Sequence, residues 1–262
     1  MIRLISTDFD GTIYDGAAPD PVDRDLVKHL DEVRAGGAVW VINTGRLCPD
    51  VLLILSTLGL ETRPDFIVSV ERNIHRRTGS SYEEHESWNR TCREDHQVLF
   101  GAAKPGVERI RRRIEAELDA VLYQDEWSPL SIIAKSPEDA DLIHRWTLEE
   151  CEQVAGLRIV RNTQYFRFGH ADYSKGTALA EIARMLGLKP EEIFAAGDHY
   201  NDLPMLDGVH AHHVAAPSNA IAEVKTAVRS AGGHVSRHPC GRGVLDALRR
   251  LNRPTQPQRT KS

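Results

Sequence analysis

The sequence predicts an α/β fold in which a doubly wound parallel sheet is interrupted by an inserted α+β domain. Short apolar runs alternate with amphipathic helical segments over the first 70 residues, and this alternation is typical of right-handed βαβ units. A polar stretch begins at about residue 76 and breaks the alternation. The same alternation resumes at Ser174-Lys175-Gly176. The second and third observations together indicate one core domain divided by an insertion.

The first part of the predicted core contains three strands and two helices. A continuous apolar run, Ala38–Ile42, is typical of a strand covered on both faces. Gly36-Gly37 ends the preceding helix as a C-cap pair. On this basis the strands are predicted at residues 2–7, 38–42 and 66–70, and the helices at 23–34 and 49–60.

The inserted domain is expected to carry its own strands and helices. We place the core at residues 1–75 and 169–262 and the insertion at 76–168. Within the insertion the helices are predicted at 107–118 and 137–154, and the strands at 130–134, 157–160 and 165–168. The core then continues with a helix at 177–186 and a strand at 193–196. The polar, proline-containing end, 252–262, is expected to be disordered.

Composition excludes several classes of protein. The chain has 262 residues, 41% of them hydrophobic and 27% charged, so it can bury a core and is not intrinsically disordered. Its net charge of −5 argues against a basic nucleic-acid binder. No apolar stretch reaches the length of a membrane span, and the N-terminus lacks the apolar region of a secretory signal. We therefore expect a cytoplasmic protein with no membrane partner, and its four widely spaced cysteines fit free thiols.

Polar motifs follow the predicted core strands, at the sheet edge where open α/β folds bind ligands. They are Asp8-Phe9-Asp10-Gly11-Thr12, Thr44-Gly45-Arg46, Lys175 and Gly197-Asp198-His199-Tyr200-Asn201-Asp202. Together these motifs supply carboxylates, a hydroxyl, backbone N–H groups and a lysine. The combination indicates a magnesium-dependent phosphoryl-transfer site.

The carboxylates have two uses at such a site. Mg²⁺ prefers octahedral oxygen ligands, which Asp8, Asp198 and Asp202 can supply. A carboxylate can also attack phosphorus to form an aspartyl-phosphate, while a second carboxyl group acts as general acid and base. Asp8 and Asp10 are the candidates for these two roles.

The phosphate needs a separate binding device, because the sequence has no Walker-type motif. Thr44 and the amide of Gly45 are expected to form an anion nest, and Lys175 adds a fixed positive charge.

Each motif by itself also fits a purely structural role. Asp8-Phe9-Asp10 can be a turn or a capping pair, and Thr44-Gly45 can be a turn. Asp198 and Asp202 can form the acidic first turn of a helix. The combination favours the functional interpretation.

The order of the motifs resembles the haloacid dehalogenase superfamily of phosphohydrolases, and within it the Cof-like branch, subfamily IIB, which carries a type-two α+β cap. D-x-D-G-T, T-G-R, S-K-G and G-D-x-x-N-D span Asp8 to Asp202, about three quarters of the chain. Two further segments, 215–220 and 241–244, also resemble sequences of this family. The resemblance implies a Rossmann-like core and a cap, inserted between T-G-R and the lysine, that closes as a lid.

The resemblance also implies roles in catalysis and metal binding. Asp8 is then the nucleophile, and Asp10 is the acid/base whose main-chain carbonyl also meets Mg²⁺. Asp198 is then a metal ligand, and Asp202 supports the metal-bound waters or the lysine, so the expected metal set is Asp8, Asp10, Asp198 and Asp202.

The substrate's phosphate is expected to contact a second group of residues. This set consists of Thr44, Gly45, Arg46, Lys175 and Asn201, of which Thr44 and Lys175 also belong to the catalytic machinery. One departure from the branch lies nearby, because this chain has Glu71-Arg72-Asn73 where many relatives carry Asn-Gly. Further candidate substrate contacts are His85, Trp88, Tyr123, Trp127 and His199.

Three functions are compatible with these residues. The first is a Mg²⁺-dependent phosphatase for a small phosphorylated metabolite, with a sugar phosphate suggested by analogy. The second is a phosphotransferase or mutase that passes the phosphoryl group from Asp8 to another hydroxyl. The third is a non-hydrolytic signalling module similar to response-regulator receivers. Motif order argues against the third, because a large insertion separates Thr44 from Lys175.

Overall fold

The computed structural model describes residues 1–251, and these residues form two separate β-sheets. The strands are β1 (Leu4–Thr7), β2 (Val39–Asn43), β3 (Phe66–Ser69), β4 (Asn73–Thr78), β5 (Ser81–Glu84), β6 (Ala120–Asp125), β7 (Ser128–Ala134), β8 (Leu157–Asn162), β9 (Tyr165–His170), β10 (Ile193–Ala196), β11 (His213–Ala216) and β12 (His234–Val235). The helices are α1 (Arg24–Ala35), α2 (Cys48–Thr57), α3 (Glu86–Glu117), α4 (Pro137–Cys151), α5 (Lys175–Leu186), α6 (Leu203–Leu206), α7 (Ala222–Ser230) and α8 (Cys240–Leu251).

The larger sheet has the strand order β12-β11-β10-β1-β2-β3-β4-β5. Its strands from β12 to β3 pair in parallel, and β4 and β5 extend the sheet as an antiparallel hairpin. The two segments of the core meet at its centre, where β1 pairs with both β10 and β2. This arrangement confirms the predicted doubly wound α/β class. It also brings the carboxyl ends of β1, β2 and β10 to one edge.

The larger sheet is covered on both faces, as its continuous apolar strands predict. Side chains alternate across a strand, so Leu4 and Ile5 of β1 enter different cores. One core packs against α1, α2 and α8, and the other against α5, α6 and α7. Burial on both faces fixes the register of β1. The register in turn fixes where the strand ends and therefore where Asp8 lies.

The smaller sheet is antiparallel, with the order β6-β7-β9-β8. Helices α3 and α4 cover one of its faces and enclose a third core, which includes Phe166 and Phe168. This is the α+β unit expected from the sequence. The domain boundaries at 76 and 168 stay a prediction, and β5 at Ser81–Glu84 still pairs within the larger sheet.

Some elements differ from the predictions. The helix expected at 107–118 is the second half of α3, which has 32 residues and begins at Glu86. The polar stretch from residue 76 holds most of the β4–β5 hairpin and the first turns of α3. Strand β6 was not predicted, and its first four side chains alternate between half-buried and exposed positions. These segments carry little apolar periodicity, since the hairpin lies at a sheet edge and the first turns of α3 bury Asn89 and His96.

Two further predictions concern the ends and the environment of the chain. The expected disorder at 252–262 falls outside the described residues. Within residues 1–251, no helix combines the length and apolar character needed to cross a membrane.

Candidate active site

Asp8 follows directly after β1 at the carboxyl edge of the larger sheet. Its backbone N–H donates to the Ala196 carbonyl at 2.9 Å, which continues the β1–β10 ladder for one more residue. The side chain is 2% exposed. Lys175 Nζ donates to its Oδ1 at 2.6 Å, while Oδ2 is buried and has no hydrogen-bond partner within the described residues. Lys175 therefore orients the carboxylate through Oδ1, and Oδ2 remains free to contact a ligand.

Lys175 is the cation at the centre of the site. It is fully buried and donates to both Asp8 Oδ1 and Asp202 Oδ1 at 2.6 Å. It opens α5, which is capped by Ser174, and its carbonyl accepts from Asn43 Nδ2 at 2.9 Å. Burial alone would lower the pKa of Lys175, but the charges of Asp202 and Asp8 outweigh it and the pKa is raised. Lys175 is therefore a permanent positive charge.

Asp202 is held on both of its oxygens by donors of this chain. Oδ1 accepts from Lys175, and Oδ2 accepts from the backbone N–H groups of Asp198 and His199 at 2.8 and 2.9 Å. Gly197 leaves the room for this side chain, because a Cβ there would clash with the Asp202 carboxyl group. Asp202 thus positions the lysine and the loop that carries Asp198.

Three carboxylates converge at this edge of the sheet. One oxygen from each of Asp8, Asp198 and Asp202 lies within 4.8 Å of the other two. Asp198 Oδ1 accepts from Thr12 Oγ1 at 2.8 Å. Gly11, with a φ of +76°, packs so closely that a Cβ there would clash with the Asp198 carboxylate. The fold therefore places three acidic groups around a single lysine.

The charges in this cluster are only partly balanced. Burial, followed by the charge of Asp202, raises the pKa of Asp8 well above its usual value. The same two causes raise the pKa of Asp198 to about 7. Three carboxylates with oxygens this close to one another fit a divalent cation, which is a hard ion and prefers oxygen ligands. Of the predicted metal set, Asp8, Asp198 and Asp202 come together.

Asp10 lies outside this cluster of carboxylates. Its side chain forms a bidentate ion pair with Arg46, with Nη2 to Oδ1 at 2.6 Å and Nε to Oδ2 at 2.7 Å. Both side chains are about one third exposed. The hydrogen bond from Arg46 to Asp10 raises the pKa of the guanidinium. The Asp10 side chain is therefore placed as a polar group at the mouth of the site, and Arg46, predicted to bind substrate, is its partner.

The predicted phosphate nest follows β2. Thr44 is buried, and its hydroxyl accepts from the Arg46 backbone N–H at 3.2 Å. Gly45 lies against Glu71, since a Cβ there would be 3.1 Å from Glu71 Oε1. Asn201 Nδ2 donates to the same Glu71 oxygen at 3.2 Å, and Asn201 Oδ1 is buried without a partner among the described residues. Glu71 thus connects two predicted substrate-binding residues.

The loop after β3 holds Glu71 in an uncommon backbone conformation. Val70 and Glu71 have φ values of 45° and 66°, a region that L-residues rarely occupy and that is most strained for β-branched side chains. Glycine, and to a lesser extent asparagine, adopts such angles with less strain. The departure Glu71-Arg72-Asn73 was the signal in the sequence, but only the fold shows that Glu71 accepts a hydrogen bond from Asn201.

The other predicted contacts lie on the periphery of the site. His199 accepts from the Thr163 backbone N–H at 3.0 Å, which ties the acidic loop to the smaller sheet. His85 pairs with Glu181 at 2.9 Å. The carbonyl of Trp127 accepts from Arg72, the indole of Trp88 donates to the carbonyl of the same arginine, and Tyr123 is exposed on the smaller sheet.

Two residues that the sequence analysis did not single out also support the site. Asn43 holds the backbone of Lys175 through the carbonyl of that residue. Asn219 Nδ2 donates to the Gly11 carbonyl at 2.7 Å, and its Oδ1 accepts from the Cys240 backbone N–H. It lies in the family-like segment 215–220, which was a usable signal.

Comparisons with known proteins agree with this geometry. The model of the haloacid dehalogenase-like hydrolase family matches residues 111–248. A phosphoglycolate phosphatase of Methanococcoides burtonii is 32% identical over 249 residues, which cover 95% of this chain and 96% of the relative. Phosphatase YwpJ of Bacillus subtilis is 24% identical over 291 residues, which cover 90% of this chain and 99% of the relative.

A solved structure shows the same fold. The sucrose-phosphatase of Synechocystis, crystallised with sucrose and phosphate, aligns with a TM-score of 0.72 and 17% identity over 96% of this chain and 99% of that chain. The family model covers more than half of the chain, and the relative from Methanococcoides spans nearly all of it. The chain therefore belongs to the haloacid dehalogenase-like hydrolases, the family that its motifs resemble.

Proposed function

We propose that this chain is a divalent-metal-dependent phosphatase that hydrolyses a small phosphorylated metabolite through an aspartyl-phosphate on Asp8, with Mg²⁺ as the metal. One observation carries the proposal. Lys175 holds Asp8 Oδ1 at 2.6 Å, while the buried Oδ2 has no partner within residues 1–251. A carboxylate that is fixed by one oxygen and free at the other is well placed to attack phosphorus.

The first half-reaction replaces the phosphate ester of the substrate with an aspartyl-phosphate, which is a mixed anhydride. An oxygen of Asp8 forms a bond to phosphorus as the bond from phosphorus to the leaving oxygen breaks. Asp10 transfers a proton to that oxygen, so the product leaves as a neutral alcohol. Thr44, Gly45 and Asn201 line the phosphate side, and Lys175 offsets the negative charge on the transferred group.

The metal would be held by Asp8 and Asp198, with Asp202 supporting them. The cation supplies the positive charge that lets an anionic phosphate approach an anionic nucleophile. Gly11 and Thr12 keep the Asp198 carboxylate in its place for this role.

Arg46 holds Asp10 before substrate binds. The guanidinium donates to both carboxylate oxygens of Asp10. When a phosphate oxygen replaces Asp10 as the partner of Arg46, the Asp10 side chain is free to turn toward the leaving oxygen. In the second half-reaction, a water attacks phosphorus and gives its proton to Asp10, phosphate leaves, and the Asp8 carboxylate is regenerated.

Release of inorganic phosphate tests the proposal. The enzyme, freed of metal by a chelator, is given sugar phosphates, phosphoglycolate and an aryl phosphate with Mg²⁺, Mn²⁺, Ca²⁺ or no metal. We expect Mg²⁺-dependent release that is lost in Asp8→Asn, with the fold retained by circular dichroism. Asp20→Asn, at a solvent-exposed carboxylate, is the matched control and should leave release unchanged.

Two outcomes contradict the proposal. Undiminished release by Asp8→Asn removes the aspartyl-phosphate mechanism. A persistent, hydroxylamine-sensitive phosphoryl group on Asp8 without phosphate release points to a phosphotransferase, a mutase or a signalling module. The sucrose-phosphatase fold and the phosphoglycolate phosphatase relative support a small sugar or acid phosphate as the substrate class.

A further inference from the structure

Three arginines converge beside the active site. Arg72 lies in the loop after β3, Arg158 on β8 and Arg167 on β9. A Cβ at Gly169 would lie 3.6 Å from Arg158 Nε and 3.8 Å from Arg72 Nη1. The missing side chain at Gly169 therefore makes room for two guanidinium groups next to each other.

Strand alternation places two of these arginines on the open face of the smaller sheet. Phe166 and Phe168 of β9 point into the core beneath α3 and α4. Their neighbours Arg167 and Gly169 therefore point to the opposite face. Arg158 pairs with Gly169 in the register of β8 and β9, so it lies on that same face.

The edge strand β8 of the smaller sheet borders the loops of the active site. Strand β8 packs against the turn Tyr200–Asp202, which carries one of the three carboxylates. The Thr163 backbone, just after β8, donates to His199 in the same loop. Arg72 then connects the open face with the site, because a Cβ at Gly169 on that face would lie 3.8 Å from Arg72 Nη1 and Arg72 belongs to the loop after β3.

Glu71 lies between the carboxylate cluster around Lys175 and the three arginines. It accepts from Asn201, and its charge acts on both Lys175 and Arg158. It is the residue immediately before Arg72, so the loop after β3 borders the phosphate region and the arginine cluster at once.

The arginine cluster has hydrogen-bond donors in excess of its acceptors. Arg72 and Arg167 are 5% and 6% exposed. Arg72 Nη2 donates to the Trp127 carbonyl at 2.6 Å. Among the described residues, however, Arg158 Nε and both Nε and Nη1 of Arg167 are buried without a partner. Buried charged donors without acceptors are costly and point to a missing ligand.

The carboxylates of this region do not satisfy those donors. Asp125 Oδ2 is 3.8 Å from Arg167 Nη2, which is too long for a hydrogen bond. Its Oδ1 accepts from the backbone N–H groups of Trp127 and Ser128. Burial, with the charges of Arg167 and Arg158, lowers the pKa of Arg72 to about 10, against the opposing effects of Cys92 and Glu71. An additional anion would relieve the repulsion among the three cations.

We propose that Arg72, Arg158 and Arg167 bind a second anionic group of the substrate, a carboxylate or a second phosphate. The substrate is then a phosphomonoester with an anion at each end. Its phosphate lies at Asp8 and Lys175, and its second oxyanion lies at the arginines, where planar guanidinium groups bind such groups well. This inference rests on the proposed phosphatase function and specifies its substrate class.

Matched substrates test the inference on the unaltered protein. 3-Phosphoglycerate and glycerol 3-phosphate differ in one carboxylate, and fructose 1,6-bisphosphate and fructose 1-phosphate differ in one phosphate. We expect kcat/KM to be about tenfold or more higher for the doubly anionic member of at least one pair. The pair in which the doubly anionic member is preferred shows whether the second anionic group is a carboxylate or a phosphate. Equal values in both pairs overturn the subsite.

Variants locate the preference. In Arg158→Met and Arg167→Met, the ratio of kcat/KM between the doubly and the singly anionic member should fall to within about twofold. Arg112→Met, at an exposed arginine of α3, is the matched control and should retain the full preference. A preference that survives both subsite variants overturns the assignment. The substrate comparison on the unaltered chain remains decisive if a variant does not fold.

Binding measurements separate this inference from the proposed function. Absence of phosphate release from all four compounds argues against the phosphatase but does not test the arginines. Calorimetry on Asp8→Asn therefore compares the affinities for the same four compounds without turnover. Tighter binding of a doubly anionic compound supports the subsite, and equal affinities within both pairs overturn it.

Discussion

Replacement of Lys175 by methionine removes the only cation that touches the acidic cluster within the described residues. Lys175→Met keeps most of the side-chain volume and deletes the charge. In the parent protein Nζ contacts Asp8 and Asp202 at 2.6 Å, and all three side chains are almost completely buried. The variant leaves these carboxylates buried next to each other and next to Asp198. We expect a large loss of stability and loss of phosphatase activity.

The magnitude follows from the burial of the group. Removal of one partner from a buried ion pair costs about 3–5 kcal/mol, and Lys175 is fully buried with two such partners. Asp8 can reduce this cost by taking up a proton, since burial and the charge of Asp202 already raise its pKa. Protonation in the folded state favours folding as the pH falls. The deficit should therefore be about 3–5 kcal/mol at pH 7.5 and smaller at pH 5.5.

Urea unfolding followed by circular dichroism measures this deficit. Both proteins are compared at the two pH values with a chelator present, and again with Mg²⁺. A bound cation should restore part of the lost stability, because it binds the folded state alone. Lys135→Met is the control, since the Lys135–Asp119 pair is exposed and worth less than about 1 kcal/mol. A deficit no larger than that of the control, or one that grows at low pH, would refute the reasoning.

Two further predictions concern Gly11 and His96. Gly11→Ala should weaken Mg²⁺ binding by calorimetry, because the added Cβ clashes with the Asp198 carboxylate. Gly79→Ala, at φ +64° with open space around it, carries only the backbone strain and should bind Mg²⁺ normally; equal weakening in both variants argues against a steric cause. Burial lowers the pKa of His96 to about 3, so its contribution to stability is complete above about pH 6.5 and falls as the pH decreases. Between pH 7 and 5 the parent protein should lose about 2 kcal/mol more than His96→Gln, and identical losses in urea unfolding contradict this.

The tertiary setting of His96 explains why its charge is unfavourable. Its Nδ1 donates to the Cys92 carbonyl at 2.7 Å, and its Nε2 accepts from the His170 backbone N–H at 3.1 Å. A second ring proton would face that N–H donor. The sequence offered no sign of this arrangement, because His170 is 74 residues away along the chain.

The strands of the core were predictable because they are buried on both faces. Ala38–Ile42 and Ile193–Ala196 are continuous apolar runs, and the observed strands differ by one residue at most at each end. Polar residues that interrupt such runs must lie at strand ends, so the apolar pattern was sufficient to place Asp8 and Thr44 at the sheet edge.

The helix α3 was only half predictable. Its buried positions include Asn89, Cys92, His96 and Leu99, which recur at helical spacing. The first three are not strongly apolar, so a search for apolar periodicity found only the second half. Asn89 is buried because its side chain makes two hydrogen bonds to the backbone of Ile74, and such pairing depends on the fold.

The sequence by itself determined the α/β class, the family and the set of groups at the sheet edge, because these follow from local pattern and from motif order. Only the tertiary structure decided how those groups are paired. Arg46 is bound to Asp10, Asp202 is held on both oxygens, and Glu71 accepts a hydrogen bond from Asn201. The arginine cluster is likewise invisible in the sequence, since its members come from a loop and two strands. Long-range contacts between distant segments depend on strand register and packing, and no local pattern encodes them.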